Sequence, residues 1–394
     1  MNLEKSIIKV DIVKIVDNIF RYAVERRASD IHIQPKEGGA DIRLRVDGVL
    51  ETADTAGLDI YKLIVNRIKV LSGIEVSGRP QPREGRIKIK VADDEYDLRV
   101  SIFPTIHGDC VVMRILEDIN SFADYLDLGM SREQATILAE KIKKTYGLIL
   151  VTGPTGSGKS TTIFTILNKL NVEEKSIVTL EDPVERRIDR VRQTQVDPDN
   201  GLTFANGLRY IVRQDPNIIM VGEIRDKETA RIAVQAAITG HLVIASIHTN
   251  NAAGAIVRLI NMGVEPFLLS SALLLVTAQR LARQLCPACR VEIEPPPAIL
   301  KKINAPQGMK FYHSPGCEEC AYLGTKGRIG VHELLVVDQA IRNLILSNPN
   351  DLQIVNLAEK VGMVPLKKAV LQKVHNGDIS LEEALAVTEE ASTI

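Results

Sequence analysis

The chain has 394 residues, is 45% hydrophobic and 25% charged, and carries a net charge of −1. That length supports two or three domains with cores of their own. The near-neutral balance excludes a global basic field that would recruit nucleic acid or acidic lipid. The opening stretch MNLEKSIIKVDIVKIVDNIF carries acids and lacks a long apolar core, unlike a secretory signal.

The apolar spacing of SIIKVDIVKIVDNIFRYAVERRASD predicts an amphipathic helix. DIHIQPKEGGADIRLRVDGVL alternates, so Ile31, Ile33, Ile42, Leu44 and Val46 share a face, with Gly38-Gly39 as the turn. A helix is expected over 57–72, and strands resume in GRIKIKVADDEYDLRVSIFPT and CVVMRIL. Residues 1–117 therefore read as an α+β domain, and 118–131, acidic with few apolar residues, as a linker. GLILVTG, SIVTLED, NIIMVGE and HLVIASIH are short apolar strands with helical stretches between them. That rhythm argues for an α/β core with a parallel sheet over 132–281. PFLLSSALLLVTA, 13 residues with two serines, is too short for a bilayer span of roughly 20 and reads as a buried helix. A cytoplasmic location follows. Residues 282–330 are loop-rich and hold two cysteine pairs, and 331–394 read as helical, with SLEE resembling a capping box.

GPTGSGKS follows an apolar strand and opens a helix, the context of a phosphate-binding loop. Gly153, Pro154, Thr155, Gly156, Ser157 and Gly158 would wrap the phosphates, with inward N–H groups and the positive end of the new helix. Lys159 would neutralise the β and γ phosphates. Ser160 would place its hydroxyl on Mg²⁺, and Thr161 follows in the first turn. ATP and Mg²⁺ are the implied cofactors. The strand IIMV ends in Gly222 and then Glu223, where such hydrolases often carry a metal-holding aspartate. Glu223 reads as the base that orients and deprotonates water. Glu181 or Asp182, at the end of another strand, would attend the metal or its water. Asp182 before proline is also good turn chemistry, and Glu185 pairs equally well with Arg186 or Arg187. His241 and His248 flank one apolar strand, and both are candidates for a γ-phosphate contact.

Cys286-Pro-Ala-Cys289 and Cys317-Glu-Glu-Cys320, 27 residues apart, have the spacing of a closed tetrahedral Zn²⁺ site. The Pro-rich segment is too short for a sizeable core, so the metal would fold it. Four thiolates leave no open position, which makes the expected role structural. Cys110 reads as a plain buried strand residue.

Taken together, GPTGSGKSTT, TLEDPVE, LRYIVRQDPNIIMVGEIRDKETA and TGHLVIASIHTN resemble the secretion ATPases, in particular the branch that powers type II secretion and type IV pilus extension. The resemblance runs from ASDIHIQP through GRIGVHELL to ISLEEALAVT. It implies a RecA-like P-loop NTPase core, a PAS-like amino-terminal α+β domain and a tetracysteine subdomain. It implies a hexamer, peripheral at the cytoplasmic face of the inner membrane, working on a platform protein and docked by a membrane-assembly recruiter. It makes Thr179–Glu185 an acidic box, Glu223 catalytic and the histidines nucleotide sensors. It also carries four arginines onto Arg99, Arg114, Arg209 and Arg213, the first two reaching over the phosphates from the amino-terminal domain. Arg209 and Arg213, four apart, are expected on one helix face. Family members usually carry a further amino-terminal domain, and this chain starts close to the second. Retraction ATPases generally lack the tetracysteine pattern, which argues against that role. GRIGVHELLVVDQAIRNLI and ISLEEALAVTEE resemble type II secretion members slightly more, with pilus extension as the alternative. A nucleotide-gated scaffold and a DNA translocase are rivals, the latter disfavoured by the near-neutral charge and the lack of an aromatic-basic stripe, so no nucleic acid partner is expected.

Overall fold

The computed structural model describes residues 11–77, 79–116, 124–295 and 308–392. The chain divides into two units, Met1–Asp118 and Ile119–Ile394.

In the first unit the order is α1 (Ile12–Glu25), β1 (Ala28–Lys36), β2 (Gly39–Val46), β3 (Val49–Gly57), α2 (Leu58–Leu71), β4 (Arg83–Val91), β5 (Asp94–Thr105) and β6 (Gly108–Leu116). The strands form one antiparallel sheet in the order β3-β2-β1-β6-β5-β4. Alternation puts Ile31, Ile33, Ile42, Leu44 and Val46 in a core with Phe20, Ile64 and Ile68 of the two helices, as the period of two requires. Charged side chains occupy the alternate positions. Register places Arg45, Asp30, Arg114, Arg99 and Arg86 in one row across five strands. Cys110 is half-buried in β6.

The second unit holds α3 (Arg132–Lys141), β7 (Gly147–Thr152), α4 (Lys159–Leu170), β8 (Ile177–Glu181), β9 (Val191–Gln195), α5 (Phe204–Ile211), β10 (Ile218–Val221), α6 (Lys227–Ile238), β11 (Leu242–Ile247), α7 (Ala252–Asn261) and α8 (Pro266–Ala272). There follow β12 (Leu273–Leu285), β13 (Val291–Ile293), β14 (Phe311–His313) and β15 (Thr325–Val336). The helices α9 (Gln339–Leu346), α10 (Asp351–Lys360), α11 (Leu366–His375) and α12 (Leu381–Ser392) end the chain. Seven strands run in the order β15-β12-β7-β11-β10-β8-β9, parallel except for β15. Every residue of β7, β8, β10 and β11 is buried, as strands covered on both faces must be.

The structure departs from four expectations. PFLLSSALLLVTA is helical only to Ala272 and then becomes β12. Strands β12 and β15 run across positions 281/282 and 330/331, so the core sheet continues through both expected boundaries, and β15 begins a region read as helical. The described part of the expected linker packs into the core through Tyr125, Leu128 and Met130; 118–123 lie outside the described residues, as does the loop at 296–307. The close fit has a sequence cause. A Cβ on Gly330 would stand 2.2 Å from the Leu128 carbonyl oxygen and 2.4 Å from His332 Nε2. Ser380 does cap α12 through the Glu383 N–H, but the Glu383 carboxylate accepts from Arg283 of β12 instead of closing a reciprocal box. Among the described residues, no helix is long and apolar enough to cross a membrane.

Candidate nucleotide site and cysteine cluster

The loop between β7 and α4 is shaped by glycines and by a residue far away in sequence. Gly156 and Gly158 have φ of 78° and 86°, where a side chain is strained. A Cβ on Gly153 would come within 2.5 Å of both the Gln279 carbonyl and Ser157 Oγ. Gln279, on β12, donates from Nε2 to the Ser157 carbonyl (2.7 Å) and accepts from Thr162 Oγ1 of α4 (2.9 Å). It thus ties the loop to the helix that the loop opens. Lys159 Nζ donates to the carbonyls of Gly153 and Pro154, both at 2.9 Å. Burial pushes its pKa down, Glu223 raises it and Arg280 lowers it. Ser157 Oγ is buried with no hydrogen-bond partner in the described structure. An orphaned donor, an ammonium and a helix amino terminus around one loop fit a polyphosphate. Ser160, exposed at the second residue of α4, is the hydroxyl that would hold a divalent cation.

Parallel pairing sets what lies beside the loop. Strand order places the ends of β11, β10 and β8 successively further from β7, at about 4.8 Å per strand. His248 follows β11 and Glu223 follows β10, and His248 Nε2 lies 3.4 Å from Glu223 Oε2. The histidine is pinned through its neighbour: Thr249 N–H donates to Thr152 Oγ1 at 2.8 Å, and that hydroxyl donates to the Ile247 carbonyl at 2.9 Å. Burial chiefly lowers the His248 pKa, with Lys159 and Arg225 acting the same way and Glu223 opposing, so the ring is neutral near pH 7. Arg225 bridges Glu223 and Asp182, and the carboxylate at Glu223 raises its pKa further.

Glu181, His241, Arg99, Arg114 and Arg209 have partners of their own. Glu181 is buried and accepts from Thr179 Oγ1 and Gln193 Nε2, so its carboxylate is tied to β8 and β9. Burial raises its pKa, and the nearby exposed Glu185 adds to this. His241 precedes β11, at the opposite edge from the loop, with Nδ1 3.0 Å from the Ala236 carbonyl. Six strand residues separate it from His248, about 20 Å. Arg209 pairs with Glu228 of α6, and Arg213 lies past the end of α5, so the two do not share a helix face. Arg99 and Arg114 stand opposite each other in the first unit, paired with Glu84 (2.9 Å) and Asp30 (3.0 Å). Sequence reasoning missed Arg225, Gln279 and Arg280. Arg225 was legible only as a charge two residues from Glu223, and the other two come directly after the run PFLLSSALLLVTA that was read as helix.

The four paired cysteines converge. Their sulfurs lie within 4.8 Å of one another, with Cys286–Cys317 and Cys317–Cys320 at 3.9 Å and Cys289–Cys320 at 4.0 Å. Four thiolates at about 2.3 Å from one tetrahedral zinc would stand about 3.8 Å apart. Cys320 Sγ accepts N–H bonds from Cys317 (3.2 Å) and Gly324 (3.3 Å), which suit a thiolate ligand. The cluster fits zinc.

A parallel sheet, a lysine-bearing glycine loop at its carboxyl edge and a carboxylate held beside that lysine define a P-loop ATPase. A family model described as type II/IV secretion system protein matches residues 8–386. The chain is 44% identical over 381 residues to the type IV pilus assembly ATPase PilB of Thermus thermophilus, covering 96% of this chain and 43% of the relative. It is also 44% identical over 382 residues to the type II secretion system ATPase E of Vibrio cholerae, covering 96% and 76%. The crystal structure of the pilus retraction motor PilT with ADP is similar at 27% identity and a TM-score of 0.62, covering 94% of this chain and 96% of that one. The Legionella pneumophila ATPase DotB, at 20% identity, 96% coverage of both chains and a TM-score of 0.71, shares the fold. The chain belongs to the type II/IV secretion system protein family. It spans under half the length of the Thermus relative and about three quarters of the Vibrio one.

Proposed function

We propose that this chain is a ring-forming ATPase motor that energises assembly of a type II secretion pseudopilus, with pilus extension as the second reading. Ordered hydrolysis around a hexamer would move an inner-membrane platform protein, with the motor peripheral on the cytoplasmic side. The observation that carries the hydrolytic reading is Glu223, held between His248 and Arg225 beside the Lys159 loop. When bound, Mg²⁺ supplies charge neutralisation at the phosphates; Ser160 and the acids at the end of β8, Glu181 or Asp182, are the groups available to hold it, which leaves Glu223 to the water. Lys159 and the loop N–H groups bind phosphate, and the Glu223 carboxylate orients the attacking water and takes its proton. His248, neutral, reports the γ position to that carboxylate by its 3.4 Å approach. The four cysteines hold structural zinc. Pilus extension stays open because relatives named for both systems match equally in identity.

The test compares phosphate release and binding of a fluorescent ATP analogue in three chains. Glu223→Gln is expected to bind as wild type and release phosphate at least a hundredfold more slowly; Lys159→Ala is expected to lose binding. Equal release by Glu223→Gln and wild type would leave a nucleotide-gated scaffold, and salt-sensitive DNA binding would revive translocation.

A further inference from the structure

Glu333 is a carboxylate buried to 3% exposure in β15, away from any reacting group. Its two oxygens are used differently. Oε1 accepts the N–H of Ala252, the first residue of α7, at 2.9 Å; Oε2 accepts the N–H of Leu366, the first residue of α11, at 2.9 Å. Two helix amino termini, each a partial positive charge, thus meet on one side chain. Burial raises its pKa and both backbone bonds oppose that rise.

What Glu333 holds is the segment that carries His248. Ala252 comes four residues after that histidine and three after Thr249, which is bonded to Thr152 at the foot of the phosphate loop. The adjoining strand grips the same segment. Ala278 opposes Glu333 and Arg280 opposes Val331, so Arg280 and Glu333 are diagonal neighbours on one sheet face. Arg280 donates to Asn250 Oδ1 at 3.3 Å. Residues 249–252 are therefore fixed from the phosphate-loop side by Thr152 and from the sheet by Arg280 and Glu333.

We infer that Glu333 is a positioning residue for ATP hydrolysis, holding the start of α7 so that His248 stays against Glu223, and joining that loop to the carboxyl-terminal helix α11. The inference rests on the reading of His248 given above. A glutamine cannot replace it: one end would still accept, while its NH₂ would face the second N–H.

The experiment uses the full chain and four proteins: wild type, Glu333→Gln, His248→Ala and the double variant. Each is assayed for kcat, KM and binding of the fluorescent ATP analogue. Glu333→Gln is expected to lower kcat at least tenfold with KM and analogue affinity within twofold of wild type. Because it acts through His248, it is expected to add no further loss on the His248→Ala background. A general loosening of the fold would instead multiply the two losses, and that result overturns the proposal. So does an unchanged kcat in Glu333→Gln when His248→Ala is impaired. If His248→Ala turns over like wild type, the histidine reading fails and takes this one with it. Should Glu333→Gln show no cooperative thermal transition, Glu333→Asp keeps both acceptors one methylene further back. It is expected to give the same pattern more weakly, and wild-type kcat in that variant overturns the proposal.

Discussion

Gly222 stands where many P-loop hydrolases end this strand in aspartate, and its missing side chain has a packing reason. A Cβ there would lie 3.1 Å from the Leu180 carbonyl oxygen and 3.3 Å from Glu181 Cα, while the Gly222 N–H donates to that same carbonyl at 2.7 Å. A carboxylate on β10 at that position would require the backbone at the end of β8 to give by a few tenths of an ångström. Glu223, one residue on, clears the neighbouring strand and meets His248 and Arg225. Gly222→Asp is therefore expected to destabilise the fold by about 1–3 kcal/mol, the range for overpacking, and to restore no turnover to Glu223→Gln. Urea unfolding followed by circular dichroism measures the first, since the chain has no tryptophan. A variant as stable as wild type would remove the packing explanation. At this scale the sequence was readable wherever chemistry is local: the loop, Lys159 and Glu223 follow from spacing alone. Chain direction already put His248 at the carboxyl, ligand-side end of its strand; His241, kept as a second candidate, lies at the other end because a parallel strand brings only one of its ends to the ligand edge.

Among the elements, β15 carries a second buried titratable group. His332 is 2% exposed, with Nε2 donating to the Leu128 carbonyl at 3.0 Å and Nδ1 buried without a partner. Only the neutral ring fits, and burial pushes its pKa down to about 4 from the ordinary 6.5. The sign follows from linkage. Unfolded chain takes up the proton near 6.5 and folded chain only near 4, so stability is full above the upper value and declines as pH falls between them. The loss by pH 5 is about 2 kcal/mol. Between pH 7.5 and pH 5, wild type is expected to lose about that much more urea-unfolding free energy than His332→Gln, in which the site no longer titrates; equal losses would mean that the ring is solvated or already charged. Neither β15 nor β12 was legible as a strand. An unbroken apolar run such as LLLV suits a buried helix and a buried strand equally, and the decision came from β7, more than 120 residues earlier, whose free edge β12 completes. The same long-range pairing delivers Gln279 and Arg280 to the site, which is why residues that shape the phosphate loop carried no local signal.

For the whole molecule, the question is what the row of arginines on the first unit is for. Arg99 and Arg114 face each other across β5 and β6, each with one acidic partner, and Arg86 and Arg45 extend the row. Asp30 is buried to 5% exposure and meets Arg114 at 3.0 Å and Arg45 at 3.7 Å, so one acid serves two guanidinium groups and leaves the row net positive. The Arg99–Glu84 pair is exposed, and such a pair contributes about 0–1 kcal/mol to stability, too little to account for several aligned cations. The resemblance to secretion ATPases assigns Arg99 and Arg114 to the transferred phosphoryl group, and that expectation can be tested. Arginine supplied to a phosphoryl transition state is worth about 10³–10⁵ in rate. Arg114→Ala and Arg99→Ala are therefore expected to fold as wild type, to bind the ATP analogue with little change, and to release phosphate at least about a thousandfold more slowly. If the arginines come from a neighbouring copy, wild-type turnover per chain will climb steeply with protein concentration. Mixing Arg114→Ala with Lys159→Ala will then restore part of the activity, since one copy keeps the nucleotide site and the other keeps the arginine. Turnover per chain that is independent of dilution, with no recovery on mixing, would place the arginines in the same chain as the loop they serve; full turnover by Arg114→Ala would strip the row of any part in hydrolysis.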